Sequence, residues 1–482
     1  MDLGGYTMSN GVFDPMEGLD SIPNSAGPTR EHFKSDTGYA DAIVKRYGGA
    51  IRFCADENCW LIFDAESGWH RDETKEVSAM VAQYARQQLN DALESAKAMD
   101  ADSGKKLVSC MADLGNQRRM LPALKIAESN PVVVVRADNL DSDHALVGVQ
   151  NGVVDLGTGG FSPHDKAKLV TRRLGCAYIH GAEAPVWNRF LERVQPDPEM
   201  RAFLARLAGY CMHGAVREHI LPFHYGTGAN GKGTFLEQGL LKLSASYGAK
   251  LTDSLVYHSE RNPLPYLEIA GLCGKRLALG EENDEGGKLS EKLLKAITGG
   301  DRVKGRFHYG NFLEYWPTYK IQLVGNHKPR ITGTDDGIWR RFLLIDWPVQ
   351  IPPEERDPGL KDKLAAEMPG ILNWAIAGAR EWLESGLRPP ASCQEATEKF
   401  RKQSDVLSDF IAECFNESPG CYVSKADAFN RYETWAQRSG VKRPMTKRAL
   451  GVQLINRGWQ ETKVGHKKQD VWLDFTCAHD LD

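Results

Sequence analysis

Five residues of strand character, Leu221-Pro222-Phe223-His224-Tyr225, run straight into Gly226-Thr227-Gly228-Ala229-Asn230-Gly231-Lys232-Gly233-Thr234, and helix-forming Phe235-Leu236-Glu237-Gln238 follow. A strand that feeds a glycine-rich turn into a helix N-terminus aims several backbone N–H groups at one point, where a triphosphate can sit. Glycine is needed there because a Cβ would keep the backbone from closing around the phosphates. Lys232 adds a point charge for the β and γ phosphates, and every residue from Gly226 to Thr234 is a candidate contact. Gly233 stands where such loops usually carry the Ser or Thr that holds magnesium, which leaves Thr234, one residue later, as the candidate hydroxyl.

Downstream strands supply the companions such a loop needs. Lys275-Arg276-Leu277-Ala278-Leu279-Gly280-Glu281-Glu282 is a short apolar strand ending in two carboxylates. One carboxylate suits magnesium held through water and the other suits polarising an attacking water, although an acidic pair after a strand can also be a solvated turn. Lys320-Ile321-Gln322-Leu323-Val324-Gly325-Asn326 ends in an amide that can orient that water or cap a turn. Trp339-Arg340-Arg341 then precedes the apolar run Phe342-Leu343-Leu344-Ile345. Either arginine can pair on the surface or reach the nucleotide of a neighbouring subunit.

Between the second and third of these strands, Arg302 to Tyr309 alternates basic and apolar residues, Gly310-Asn311 is a two-residue hairpin signal, and Phe312-Leu313-Glu314-Tyr315-Trp316 returns. Period two puts Arg302, Lys304, Arg306 and His308 on one face, a stripe that can grip a phosphate backbone or form a plain solvated edge.

The 482-residue chain has a formal net charge of −4, and no apolar stretch approaches the roughly 18 residues of a spanning helix. The start, MDLGGYTMSNGVFD, has neither the basic nor the apolar region of a signal peptide. These features imply a cytoplasmic protein without a membrane partner. Ten cysteines without a CxxC pair imply reduced thiols rather than a disulfide framework or structural zinc. The charge is uneven: Tyr422 to Lys468 carries eleven Lys or Arg against three acids. A basic module on an acidic body is a familiar nucleic-acid arrangement, and a solvated basic face is the plainer alternative.

The pattern divides the chain into a flexible Gly/Ser/Pro/Asp leader over 1–40, a mostly helical N-terminal domain over 41–182, an α/β domain over 183–355, a helical extension over 356–403 and a basic module over 404–482. In the last, helices over Ser404–Phe415, after Ser424 and after Thr446 precede two strands around Gly465-His466-Lys467-Lys468. Three helices and a hairpin predict a winged-helix-like domain, with Lys447, Arg448 and Arg457 on the third helix and Lys467 and Lys468 at the wing tip as DNA contacts.

From about Leu146 to about Pro390 the chain resembles the primase-helicase family of satellite phages, plasmids and poxviruses, whose motor is a superfamily 3 helicase. The resemblance rests on Asn151-Gly152-Val153-Val154-Asp155-Leu156 with Thr158-Gly159, on Gly209-Tyr210, and on Gly228-Ala229-Asn230-Gly231-Lys232. It continues through Lys275-Arg276 with Glu282, Leu294-Lys295 with Thr298-Gly299-Gly300-Asp301, Asn326 with Pro329, and Trp339-Arg340-Arg341. It implies an AAA+-like P-loop ATPase core, Lys232 as the phosphate-loop lysine, Glu281 and Glu282 as the acidic strand end, and Asn326 as sensor. Arg341, with Arg340 as second choice, becomes the arginine acting across a subunit boundary. Lys304, Arg306 and His308 match the DNA-translocating hairpin. Hexameric assembly and 3′ to 5′ movement on single-stranded DNA are likewise implied.

Many relatives carry a primase domain ahead of the motor. Here Asp141-Ser142-Asp143-His144 reads as an acidic turn entering a strand rather than a priming site, so a separate primase or other replication protein becomes an expected partner. The combined expectation is an ATP- and Mg2+-dependent, ring-shaped DNA helicase of a phage-like or plasmid-like replicon in a bacterial host, acting on single-stranded and forked DNA. The alternative is a DNA-binding replication initiator that hydrolyses ATP weakly or not at all, its loop altered at Gly233. A guanine-nucleotide enzyme is disfavoured, because Asn326-His327-Lys328-Pro329 lacks the guanine-reading spacing.

Overall fold

The computed structural model describes residues 32–257, 266–281, 287–306, 312–331, 336–441, 444–465 and 468–478. The chain forms two compact units, one of residues up to 64 with 69–140, the other of 65–68 with 141–482. Of the expected leader, residues 1–31 lie outside the described residues. From His32 the chain is folded: Phe33 is buried, and the Ser35 hydroxyl accepts from the Gly38 N–H to cap the helix Asp36–Tyr47.

The first unit packs that helix with Glu76–Ala96, Ala101–Leu114 and Gln117–Ala127 around Tyr39, Ile43, Val81, Ala123 and Val133. A small sheet joins them, made of Gly68–Arg71, Cys59–Asp64, Ile51–Cys54 and the two-residue strand Val134–Val135 in that order. Residues 141–182 group with the second unit rather than with these helices.

The second unit opens with an antiparallel sheet of Leu146–Val149, Gly152–Asp155 and Phe161–Ser162. It is built around five parallel strands, labelled here β1 (Leu221–Tyr225), β2 (Gly248–Lys250), β3 (Leu277–Glu281), β4 (Lys320–Gly325) and β5 (Phe342–Asp346), in the order β5-β1-β4-β3-β2. Both faces of such a sheet are covered, which is why its strands read as nearly continuous apolar runs. Helices Pro198–Met212 and Met368–Ser385 pack together so closely that a Cβ on Gly378 would lie 1.9 Å from the Ala205 carbonyl oxygen. Within the helical extension expected over 356–403, the first part is divided into Leu360–Ala366 and Met368–Ser385, with Pro369 opening the second.

The residues past 404 make three helices (Val406–Cys414, Lys425–Arg438, Lys447–Asn456) and a three-stranded antiparallel sheet of Phe415–Ser424, Gln469–Cys477 and Glu461–Val464. Ser424 and Thr446 cap the second and third helices, as their positions before apolar-periodic runs predict. The long strand Phe415–Ser424 was not foreseen. It follows the first helix directly and pairs with Gln469–Cys477 through a bulge. No helix among the described residues is long and apolar enough to cross a membrane.

Candidate functional site

The glycine-rich loop leaves the C-terminal end of β1, the edge of a parallel sheet at which α/β folds bind ligands. Three of its residues take left-handed backbone, Gly228 (φ 106°), Ala229 (φ 51°) and Gly231 (φ 84°). A Cβ on Gly231 would press on Val194 and Phe190 at 2.8 and 2.9 Å, so glycine is demanded by conformation and by space. Ala229 bears strain of about 1 kcal/mol or more for its positive φ.

Asn230 holds this shape. It is buried, its Oδ1 accepts from the Gly228 N–H at 2.6 Å, and its Nδ2 donates to the carbonyls of Trp347 and Val349, both at 3.0 Å. Together with the Ile351 N–H donating to the Ala229 carbonyl, these bonds staple the loop to the segment after β5. Asn230 was expected among the ligand contacts, and its bonds make it an internal brace.

The Lys232 ammonium donates to the Gly226 carbonyl at 2.6 Å, to Asn326 Oδ1 at 3.2 Å and to Asn230 Oδ1 at 3.4 Å. The structure thus brings the loop lysine and the amide after β4 into contact across 94 residues of sequence. Strand order produces this, because β4 lies beside β1. The helix that follows is π-wound over Thr234–Leu241. Its wider coil lies against Trp187, which stacks on Phe235 and would meet a Cβ on Gly239 at 2.5 Å.

Beneath the loop lies a polar chain that sequence reasoning missed. The Trp347 indole N–H donates to His224 Nδ1 at 3.1 Å. Since indole only donates, His224 must carry its proton on Nε2, which donates a hydrogen bond to Gln322 Oε1 at 3.0 Å. Gln322 Nε2 in turn reaches Cys211 Sγ at 3.4 Å. Burial pushes the His224 imidazole down to about 4, the Gln322 bond opposes this, and the nearby Lys232 charge adds to it. The imidazole is neutral at neutral pH. The available signal was a His and a Gln inside otherwise apolar strands.

Glu281 ends β3, two strands and so about 10 Å from β1, and its carboxylate takes the Lys250 ammonium at 2.7 Å. Glu282 lies outside the described residues. Thr234 is half-buried and Gly233 exposed, with open space around a Cβ placed on it. Among the described residues, no three His, Cys, Asp or Glu side chains are grouped to hold a metal ion.

Arg340 and Arg341 sit at the start of β5, where the Arg341 carbonyl accepts from the first N–H of β1. That is the end of the sheet away from the loop, roughly 13 Å of strand distant. Arg341 is half-buried with Nη1 on the Gly337 carbonyl, while Arg340 is exposed. Arg276, from the Lys275-Arg276 pair, is buried at the same end with Nη1 on the Met212 carbonyl, and Lys320 is buried beside it on the His213 carbonyl. Both side chains lie at the C-terminus of helix Pro198–Met212, whose dipole favours positive charge, while burial pushes the Lys320 ammonium well below its usual range. Asp141 accepts from the Thr171 N–H and hydroxyl, so it supports a loop, as its reading as a turn implied.

The hairpin pairs Val303–Arg306 with Phe312–Tyr315, and its expected Gly310-Asn311 turn and His308 lie outside the described residues. Lys304 and Arg306 are exposed, as period two predicts, and Lys304 pairs with Glu314 at 2.8 Å. In the C-terminal module Lys447, Arg448 and Lys468 are exposed, and Lys467 lies outside the described residues. Arg457, expected with them, instead binds the Asp405 carboxylate and the Ser408 hydroxyl at the start of helix Val406–Cys414.

The family description "D5 N terminal like" matches residues 40–196, and "Poxvirus D5 protein-like" matches residues 402–482. The chain carries the domains of the D5-like primase-helicase family. Its curated relatives include a candidate helicase of Acanthamoeba polyphaga mimivirus, 28% identical over 62% of this chain and 33% of that protein. A candidate helicase of Frog virus 3 is 25% identical over 58% of this chain and 32% of that protein. A candidate primase of African swine fever virus is 22% identical over 61% and 34%. The chain therefore spans about a third of the length of these D5-like relatives from large DNA viruses. Among solved structures it has a loose likeness to the apo C-terminal region of NrS-1, with 12% identity over 91% of this chain and 98% of that one, at a TM-score of 0.49.

Proposed function

We propose that this D5-like chain is a P-loop ATPase of the superfamily 3 helicase kind, which uses ATP and Mg2+ to move along DNA during replication of a viral or related mobile element. The observation that carries the reading is the contact of Lys232 with Asn326 inside a loop braced by Asn230. The Gly226, Asn230 and Asn326 oxygens orient the ammonium toward the loop, where a bound phosphate would meet its charge. The Asn326 amide beside it would hold a water near the terminal phosphoryl group, and such positioning and electrostatic stabilisation are nearly all that phosphoryl transfer asks of a protein. The buried neutral His224 below leaves Lys232 as the cation of that pair.

Magnesium would neutralise charge on the phosphates, with the Thr234 hydroxyl and Glu281 as its holders. A site of one hydroxyl and one carboxylate suits an ion that keeps several waters. Lys250 must then give up Glu281 when the site is filled. Glu282 is the proposed group that polarises water. Arg340 and Arg341, at the far end of the sheet, suit action on a neighbouring subunit's nucleotide, which makes a ring, a hexamer by resemblance, the working form. Of the two, the exposed Arg340 is the better placed. The hairpin would contact single-stranded DNA in the ring with 3′ to 5′ movement. The C-terminal module, read as winged-helix-like, would contact forked or origin DNA through Lys447, Arg448 and Lys468. The relatives' sources favour a viral replicon and lend nothing to a bacterial host.

A second reading is favoured by two observations, the glycine at position 233 and the engagement of Glu281 by Lys250. Under it the protein binds ATP and DNA as an initiator with little hydrolysis. ATP turnover with and without single-stranded DNA separates the two. The helicase reading expects DNA-stimulated turnover that Lys232→Ala lowers by at least about 100-fold, the usual consequence of losing one transition-state charge donor. Turnover unchanged in that variant sinks it, and DNA binding without turnover in the wild type selects the initiator.

A further inference from the structure

The hairpin's outward face is aromatic as well as basic. Register sets three cross-strand pairs on it: Arg306 with Phe312, Lys304 with Glu314, and, one step beyond the ladder's Val303–Tyr315 pair, Arg302 with Trp316. The central pair is closed on itself as an ion pair, with Lys304 raised by its bond to Glu314. The outer two are stacks, with the Arg306 guanidinium over the Phe312 ring and the Arg302 guanidinium over the Trp316 ring, each at 5.3 Å from the centroid. Phe312 and Trp316 are 58% and 59% exposed, the largest values for apolar side chains among the described residues. The opposite face is pinned. A Cβ on Gly305 would meet the Ala270 backbone at 2.5 Å, and the Tyr315 hydroxyl donates to the Ile269 carbonyl, so helix Tyr266–Gly271 holds the hairpin with its aromatic face outward.

We infer that Phe312 with Arg306 and Trp316 with Arg302 are two base-stacking stations for single-stranded nucleic acid, and that the hairpin grips bases as well as phosphates. This rests on the proposed action on DNA and adds to it a class of contact and two residues. The physical case is that an aromatic ring left in water next to a guanidinium presents two flat, cation-bearing surfaces. Nucleobases stack on both kinds of plane, and the fixed positive charge meets the phosphates. Four residues of extended chain separate the stations by about 13 Å. That far exceeds the spacing of about 3.4 Å between adjacent stacked bases, so each station takes a base of its own.

The test is anisotropy titration of the full chain with a labelled single-stranded oligonucleotide and with an oligonucleotide of the same length made abasic over its central residues, at one salt concentration. Wild type should prefer the intact strand. Trp316→Ala and Phe312→Ala should each weaken intact-strand binding by about 5- to 150-fold while leaving abasic-strand binding nearly unchanged. Trp316→Phe should restore most of the loss and Trp316→Leu should not. Equal affinity of wild type for the two strands, or equal losses on both in the alanine variants, overturns the stacking stations and leaves DNA binding standing. A change in oligomeric state on mass photometry without a change in DNA affinity also overturns them, since the face would then be a contact between copies. Failure of wild type to bind either strand overturns the stations together with the action on DNA.

Discussion

A serine at position 233 would sit on helical backbone (φ −62°, ψ −38°) with nothing within 4 Å of its Cβ. Helix propensity alone then predicts that Gly233→Ser stabilises by about 0.5 kcal/mol, a small rise in thermal midpoint. If the loop holds magnesium as proposed, the new hydroxyl should also raise ATP turnover at limiting Mg2+, and unchanged Mg2+ dependence would argue against a metal role at that turn. The buried His224 makes a pH prediction. An unfolded histidine protonates near 6.5, and His224 resists to about 4, so between those values the unfolded chain binds the extra proton. Its contribution to stability is complete above pH 6.5 and is lost as pH falls toward 4, by about 3 kcal/mol. His224→Gln should flatten that part of the wild-type profile of thermal midpoint against pH. An unchanged slope would mean that the histidine is not neutral and buried as described. Lys232 and the glycines were legible residue by residue because phosphate geometry restricts residue type. Asn230 as brace and His224 with Gln322 were not, because their partners lie about a hundred residues away.

Among the elements, helices Pro198–Met212 and Met368–Ser385 interlock through two glycines. Cβ atoms on Gly209 and Gly378 would lie 2.1 Å from the Ala379 nitrogen and 1.9 Å from the Ala205 oxygen. Alanine at either position gains up to about 1 kcal/mol of helix propensity, but backbone cannot yield as a side chain can. Gly209→Ala and Gly378→Ala are therefore expected to lower the thermal midpoint, by a net cost of about 1–3 kcal/mol each. A rise in midpoint would show that the helices can separate cheaply. Four of the five strands of the central sheet were readable from their apolar runs, whereas β2, only Gly248-Ala249-Lys250, has none, and the helix caps at Ser424 and Thr446 were readable from side-chain type. The strand Phe415–Ser424 escaped notice because Asn416, Glu417 and Ser418 break its alternation and a bulge absorbs the mismatch.

At the scale of the whole molecule, the loop at one end of the sheet and Arg340 at the other cannot serve the same nucleotide within one subunit. Mixing inactive Lys232→Ala protein with inactive Arg340→Ala protein should restore part of the DNA-stimulated hydrolysis, because some interfaces then pair an intact loop with an intact arginine. No recovery across mixing ratios would remove Arg340 from the proposed composite site and return attention to Arg341. The parallel α/β core, the loop and its lysine, the basic stripe of the hairpin and the helices of the C-terminal module could be read from the chain alone, since each is a local consequence of periodicity, capping or glycine conformation. It took the folded chain to show that Asn326 meets Lys232, that Glu281 meets Lys250, that Arg457 is bound to Asp405, and that Phe312 and Trp316 face outward under arginines. Each of those depends on strand order, register or chain reversal, which bring together residues that no local pattern connects.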